Sequence, residues 1–346
     1  MIVAMAGSAC GQTIGWLTTN FGTVDPVESY GGGTLASSGA GQYQVTFPGF
    51  GDGLDSDVQI SAVDYFAEAS PHYCTSAGWG SDGTNVTAYV DCFDATGALA
   101  NGDFAVFYEA RTAAPSSGYI AFAWANQPTT ANYFPDADYA FNSSGRTIDI
   151  LRTGVGAYVV AFDGAPTKGN PMVTAYGSSA AHCEVADWVK NGGYGVEVYV
   201  RCFNGAGQAA DEYFDIAYAA GVSHGDGPAT GAGGYAWANN AVAANYKPPL
   251  LYQFNNISTL PVKGSNSGYG IGFLELPVQG RLTFQPYLGL VTPVGSSGEF
   301  CDQNHIEQDT SKPKNPSFYL AVECFNAQGQ DLNSEYTGAI ISHPVG

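Results

Sequence analysis

Positive charge is scarce in this chain: Lys and Arg total 11 of 346 residues against 31 Asp and Glu, a formal net charge of −20. Such a field repels phosphate backbones and anionic membrane surfaces, so nucleic acid is not an expected partner and the acidity reads as solubility outside the cell. Long apolar runs are missing as well. No stretch of 18 apolar residues occurs, and no membrane-spanning helix is expected. Acidic residues gather at Asp52, Asp55 and Asp57, but without calcium-loop spacing and without a matching run in the rest of the chain, so no metal site follows. Zinc-protease, nucleophile-elbow and phosphate-loop patterns are absent too, and neither a cofactor nor a catalytic residue is expected. The leading expectation is therefore a protein that is not an enzyme.

What the chain does have is Gly (46 residues), Tyr (22) and Phe (19), a composition that favours strands joined by tight turns. Self-similarity organises it. A Cys-Phe-Asx-x-x-Gly element occurs at Cys92-Phe93-Asp94, Cys202-Phe203-Asn204 and Cys324-Phe325-Asn326, with Gly97, Gly207 and Gly329. An aromatic residue stands at the same distance after each cysteine (Phe104, Phe214, Tyr336), and a second cysteine precedes each one (Cys74, Cys183, Cys301). Further upstream lies Trp-Ala-Asn, as Trp124-Ala125-Asn126 and Trp237-Ala238-Asn239, with Trp16 and Asn20 read as the divergent first copy. Three elements in one order, recurring at roughly 110 residues, define a tandem repeat.

The second copy shows eight short strands bounded by Gly, Pro, Asn or Ser: 119–124, 139–142, 147–152, 157–162, 172–176, 182–188, 196–203 and 212–218. Taken four at a time, they are the blades of a propeller, and three copies give a six-bladed β-propeller. The alternative is three tandem β-sandwich domains. Pairing Cys74 with Cys92, Cys183 with Cys202 and Cys301 with Cys324 closes loops of only 18, 19 and 23 residues, which ties neighbouring strands of a hairpin and favours the propeller. Radial repetition also protects strand edges. On this reading residues 1–10 are an N-terminal extension and 11–346 a single domain, with copies at 11–113, 119–222 and 232–342.

Three disulfides imply an oxidising compartment, and the chain is expected to be secreted. Met1 to Ala6 is apolar but too short for a signal sequence, which suggests a trimmed precursor or a replaced leader. Cys10 is left over, as a free thiol, a tether to another chain or half of a bond whose partner lies elsewhere. His72 and His182 lie beside Cys74 and Cys183 in nearly one repeat slot, which reads as a packing position rather than a catalytic base.

With Gln44-Val45-Thr46-Phe47-Pro48-Gly49, Val173-Thr174-Ala175-Tyr176-Gly177 and the Cys-Phe-Asn-x-x-Gly element written out, residues 11–342 resemble tandem-repeat propeller proteins secreted by actinobacteria and myxobacteria. Among these is the dispase autolysis-inducing protein of streptomycetes. The resemblance implies a secreted propeller, with seven blades in that relative, that serves as a transglutaminase substrate. No functional residue carries over from it.

Aromatic rings paired with amides suit sugars, because a ring face covers C–H surface while an amide orients hydroxyls. Trp16 with Asn20, Trp124 with Asn126 and Trp237 with Asn239 are therefore the expected ligand-binding residues, against the plainer reading that repeated tryptophans are core. The expected function is recognition of carbohydrate, or of a cell-wall or extracellular protein partner. Two alternatives stand beside it: a matrix or transglutaminase cross-linking substrate, with Gln208, Gln328 and Gln330 beside the repeated loop, and a hydrolase or lyase with a site in the propeller channel.

Overall fold

The computed structural model describes residues 11–51, 55–65, 71–226, 232–279, 284–309, 311 and 316–344. Cys10 and the expected extension, and Asp52 of the acidic cluster, lie outside the described residues. The fold is all-β, with two single-turn 3₁₀ segments and no α-helix among the described residues. No helix among them is long and apolar enough to cross a membrane.

The first copy supplies β1 (Gln12–Asn20), β2 (Thr23–Val24), β3 (Thr34–Gly39), β4 (Gln42–Pro48), β5 (Ser56–Val63), β6 (His72–Ser81), β7 (Asn85–Asp94) and β8 (Asp103–Arg111). The second supplies β9 (Tyr119–Ala125), β10 (Asn132–Tyr133), β11 (Ala140–Asn142), β12 (Ile148–Gly154), β13 (Ala157–Asp163), β14 (Asn170–Tyr176), β15 (His182–Asn191), β16 (Gly195–Phe203) and β17 (Tyr213–Ala220). The third supplies β18 (Ala232–Ala238), β19 (Gln253–Asn255), β20 (Lys263–Gly268), β21 (Ile271–Pro277), β22 (Phe284–Val294), β23 (Phe300–Asp309), β24 (Ser317–Phe325) and β25 (Glu335–Pro344). All eight strands expected for the second copy are present.

Their grouping differs from the expectation. The topology does not confirm the propeller and gives no support to a count of six blades: the strands form three sheets of eight or nine, not six sheets of four. In the first copy β2-β1-β8-β5 make one layer and β3-β4-β7-β6 another, so the first, second, fifth and eighth strands share a layer. Tyr43, Val45, Phe47, Val86, Ala88 and Val90 from the second layer meet Leu17, Val58, Ile60, Phe104 and Val106 from the first in one core. Each copy is thus two layers around its own interior, as in the sandwich alternative. A short disulfide loop does not decide between the architectures, because the β6–β7 hairpin belongs to one layer in either case.

The copies are not independent beads. The first-layer strands are apolar on both faces: along β8, Phe104, Val106 and Tyr108 enter the core of the copy, while Ala105 and Phe107 enter a second, shared core. That shared core gathers Trp16, Phe122, Tyr235, Met172, Leu288 and Leu290 from all three copies. Each sheet then continues from one copy into the next through a single parallel contact, Tyr176 with Ser76, Val294 with Val185 and Val63 with Gln303. These pairs occupy the same repeat positions, so the chain closes on itself around a pseudo-threefold axis.

The repeated motif caps one end of that axis. Asp94, Asn204 and Asn326 each accept backbone N–H groups two and four residues on, forming matching turns. Gly97 packs on Gly205, Gly207 on Ala327 and Gly329 on Ala95, a cyclic contact of the three turns. Beneath them Tyr73, His182 and Phe300 meet with ring centroids 5.2, 5.2 and 6.0 Å apart. Strand pairing places His182 level with Tyr73 and Phe300, opposite Phe203, Phe93 and Phe325. His72 stands one position earlier, so the two histidines do not share a slot.

The three disulfides join the expected cysteines, which face each other on adjacent antiparallel strands with Cα atoms 4.0, 4.1 and 4.0 Å apart. A Gly-x-Gly hairpin tip supports each bridge. Gly41, Gly156 and Gly270 have φ of +67°, +60° and +77°, and their carbonyls accept the N–H of Cys92, Cys202 and Cys324. An added Cβ would lie 2.5, 2.4 and 3.0 Å from the carbonyl oxygen of that same cysteine, which leaves glycine as the residue that fits.

Candidate functional site

Strand register relocates the expected ligand-binding residues. Thr18, Trp124 and Trp237 pair with Ala105, Asp215 and Thr337, each one residue past the repeated aromatic, so these three are equivalent. Trp16 pairs with Phe107, as Phe122 does with Ala217 and Tyr235 with Ala339. Trp16 is therefore the counterpart of Phe122 and Tyr235. It is fully buried in the shared core, where no ligand can stack on it. Asn20, Asn126 and Asn239 do fall in register, each two residues beyond the equivalent position.

Trp124 and Trp237 are half-buried at the seams between copies. At the first seam Trp124 meets Trp79 of the preceding copy at 6.1 Å, Tyr139 at 5.2 Å and Tyr176 at 4.9 Å. At the second, Trp237 meets Trp188 at 5.1 Å and Tyr252 at 5.4 Å. Such tilted and edge-on rings are packing contacts that lock neighbouring copies. Asn126 keeps a buried Oδ1 without a hydrogen-bond partner.

The third seam, where the last copy meets the first, lacks these rings. Ile306 stands where Trp79 and Trp188 stand, Thr18 where the second tryptophan stands, and Glu28 where Tyr139 and Tyr252 stand. Val63 and Asp103, paired across the strands, take the places of the paired Tyr176 and Tyr213, as Val294 and Glu335 do in the third copy. A cavity of about 540 Å³ opens along Val63, Asp64, Tyr65, Asn101 and Asp103, with Phe21 and Tyr43 at its walls.

Phe21 is the unusual residue of this cleft. Its ring is 82% exposed and its φ is +49°, a left-handed conformation that a bulky side chain adopts at a cost. Asp103 holds it there, one carboxylate oxygen accepting the Phe21 N–H at 2.7 Å and the other the Gly22 N–H at 2.9 Å. Tyr65 stacks on Phe21 with centroids 6.5 Å apart and planes 27° from parallel, and its hydroxyl donates to Glu28. Burial, with Asp25 nearby, pushes the Glu28 carboxyl up to about 8, and the Tyr65 hydrogen bond opposes that rise. The Tyr43 hydroxyl accepts the Gly102 N–H, and Asn101 accepts the Gly41 N–H.

Behind the wall, His72 reaches the Asp103 carbonyl at 2.9 Å, and its other ring nitrogen lies 3.8 Å from Asp302. Burial raises the Asp302 carboxyl to about 7, His72 opposing and Asp64 and Glu323 adding to the shift. Among the described residues no three His, Cys, Asp or Glu side chains are placed to hold a metal ion.

A cavity of about 40 Å³ lies near the axis, lined by the central strands and by Tyr73, His182 and Phe300.

Phe21 escaped the sequence reading because a single aromatic in an Asn-x-Gly turn has no repeat counterpart. The loss of the seam rings at Thr18, Glu28 and Ile306 is the signal that sets this seam apart, once the copies are aligned by register. Comparison of the chain with protein-family models, with curated proteins and with solved structures gives no match.

Proposed function

We propose that this chain is a secreted, non-enzymatic binding protein that recognises carbohydrate in the cleft beneath Phe21. The observation that carries the reading is the exposed Phe21 ring, fixed at positive φ by Asp103 over the 540 Å³ cavity. Exposing a large ring costs hydrophobic burial, and the left-handed backbone adds strain. Both costs make sense where the ring serves a ligand. A pyranose presents a C–H face to such a ring and its hydroxyls to amides, phenols and carboxylates, and Asn101, Tyr43 and Asp64 line the same space.

The carboxylates of the cleft favour binding over hydrolysis. Asp103 has both oxygens engaged with the Phe21 turn, Asp64 is almost fully buried in the wall, and Glu28, behind the lining, is buried against Tyr65. Three disulfides, the acidic charge and the lack of a membrane-spanning helix among the described residues fit an extracellular location. The test is an oligosaccharide array followed by titration of the best ligand, with Phe21→Ala as the comparison. Binding lost at least tenfold at unchanged melting temperature supports the reading; equal binding by the variant removes it.

A second reading, a transglutaminase cross-linking substrate, is favoured by one observation. Gln208, Gln328 and Gln330 are exposed on the turns that cap the axis, where an enzyme can reach them. Incubation with a transglutaminase and a labelled amine, then peptide mapping, decides it: label at these glutamines supports it, and no label excludes it.

A further inference from the structure

We propose that the first seam, between Trp79 of the first copy and Tyr139 of the second, binds an alkylammonium group, quaternary or N-methylated, in a site separate from the Phe21 cleft. The cavity there measures about 230 Å³ and is lined by Trp79, Tyr139, Tyr108 and Asp138. Pockets for whole drug-sized ligands run to roughly 300–1,000 Å³, so this one suits a head group. The rings of Trp79 and Tyr139 stand 5.6 Å apart at 84°, making two perpendicular aromatic walls. A flat pyranose stacks on one face, whereas a near-spherical tetraalkyl cation touches both. Such a cation is attracted by the ring quadrupoles within about 6 Å of a centroid.

The walls are fixed and the charge is matched. The Trp79 indole N–H donates to Ser56 at 3.1 Å, holding the ring against rotation. Asp138 lies at the cavity, and Asp55 is near enough that Asp138, after burial, helps raise its carboxyl above the ordinary range. Two carboxylates that repel each other beside an aromatic cavity, on a chain of net charge −20, create a potential that a cation relieves.

The second seam supplies a contrast within the same molecule. There Trp188 and Tyr252 reproduce the rings, at 5.5 Å and 79°. By register, however, Leu251 takes the place of Asp138 and Lys190 that of Ser81. The lysine repels a cation and the leucine takes away the carboxylate that would attract one, so one site per chain is expected.

The experiment is a titration of the whole chain with choline and with tetramethylammonium, read by tryptophan fluorescence and by calorimetry. The neutral isostere 3,3-dimethylbutan-1-ol is the control. Saturable binding of one choline per chain, at least tenfold tighter than the alcohol, is the expected result. Asp138→Asn, at an exposed position that leaves the fold intact, should weaken choline by about three- to tenfold and leave the alcohol unchanged. Tyr139→Ala should abolish binding. Equal affinity for choline and alcohol, no saturable binding, or an unchanged choline affinity in Asp138→Asn would each overturn the proposal.

Discussion

Ser61 and Val291 lie 230 residues apart, yet the Ser61 hydroxyl accepts the Val291 N–H at 2.9 Å and donates to the Val291 carbonyl at 3.3 Å. Thr174 makes the same two bonds to Ile60, and Thr292 makes them to Val173. The three hydroxyls hold equivalent places in β5, β14 and β22, each completing the backbone of a neighbouring copy. Six buried backbone groups that have no ladder partner at the axis are satisfied this way. A chain of three copies thereby closes like a three-membered ring.

Removing a hydroxyl from this ring should leave a buried N–H unpaired. Ser61→Ala is expected to cost about 1–3 kcal/mol in chemical denaturation. Ser61→Thr should be close to neutral, because threonine already fills the other two places. If Ser61→Ala unfolds at the wild-type denaturant midpoint, the hydroxyl ring does not hold the axis together.

The register makes opposite demands on the tryptophans. Trp16→Ala should lose about 3–5 kcal/mol of stability, whereas Trp16→Phe and Trp16→Tyr, which copy Phe122 and Tyr235, should be far milder. Trp124→Ala, at a half-exposed seam, should cost less than Trp16→Ala. The reverse order of denaturation midpoints would restore the alignment of Trp16 with Trp124.

At the Gly-x-Gly tips the backbone sets the ranking. Gly41→Ala and Gly156→Ala force a Cβ to 2.5 and 2.4 Å from a cysteine carbonyl, while Gly270→Ala meets it at 3.0 Å. Each should cost at least about 1 kcal/mol, with the third the mildest. Melting of the three variants checks the order.

Glu28 gives the protein a pH dependence of definite sign. Its folded-state carboxyl sits at about 8, above the ordinary 4.5, so the folded protein keeps a proton that the unfolded chain releases. Stability linked to this group is full below about pH 4.5 and declines as pH rises towards 8. Asp57 and Asp302, at about 7, decline over a lower window, and His182 and His224, held near 4 by burial, act in the opposite sense below their ordinary 6.5. Between pH 7.5 and 8.5 Glu184, pushed to about 10 mainly by burial, keeps its proton, and with Asp215, raised well above its ordinary range by burial, it adds a slope of the same sign. The share of Glu28 is therefore the difference between two curves: wild type should lose stability more steeply than Glu28→Gln in this window, and parallel curves would contradict the assignment.

Much of the fold was legible in the sequence, because alternation in β16 and the recurring Cys-Phe-Asx turn are local signals. The eight strands of the second copy and the three disulfides followed from them. Layer assignment did not, since which strands pair is decided by contacts such as Val63 with Gln303, far apart in the chain. Trp16 shares its residue type with Trp124 and Trp237 but its position with Phe122 and Tyr235, and only the strand pairing reveals the position. The cleft was hidden for a related reason: it lies beside the seam where the repeat departs from itself, at Thr18, Glu28, Ile306 and Phe21.

The most direct measurement is the structure of the chain crystallised with the oligosaccharide that binds best. A sugar ring should lie face-on against Phe21, with hydroxyls within hydrogen-bond distance of Asn101 or Tyr43. A sugar seated instead on Trp124 or Trp237, with the Phe21 cleft empty, would contradict the account.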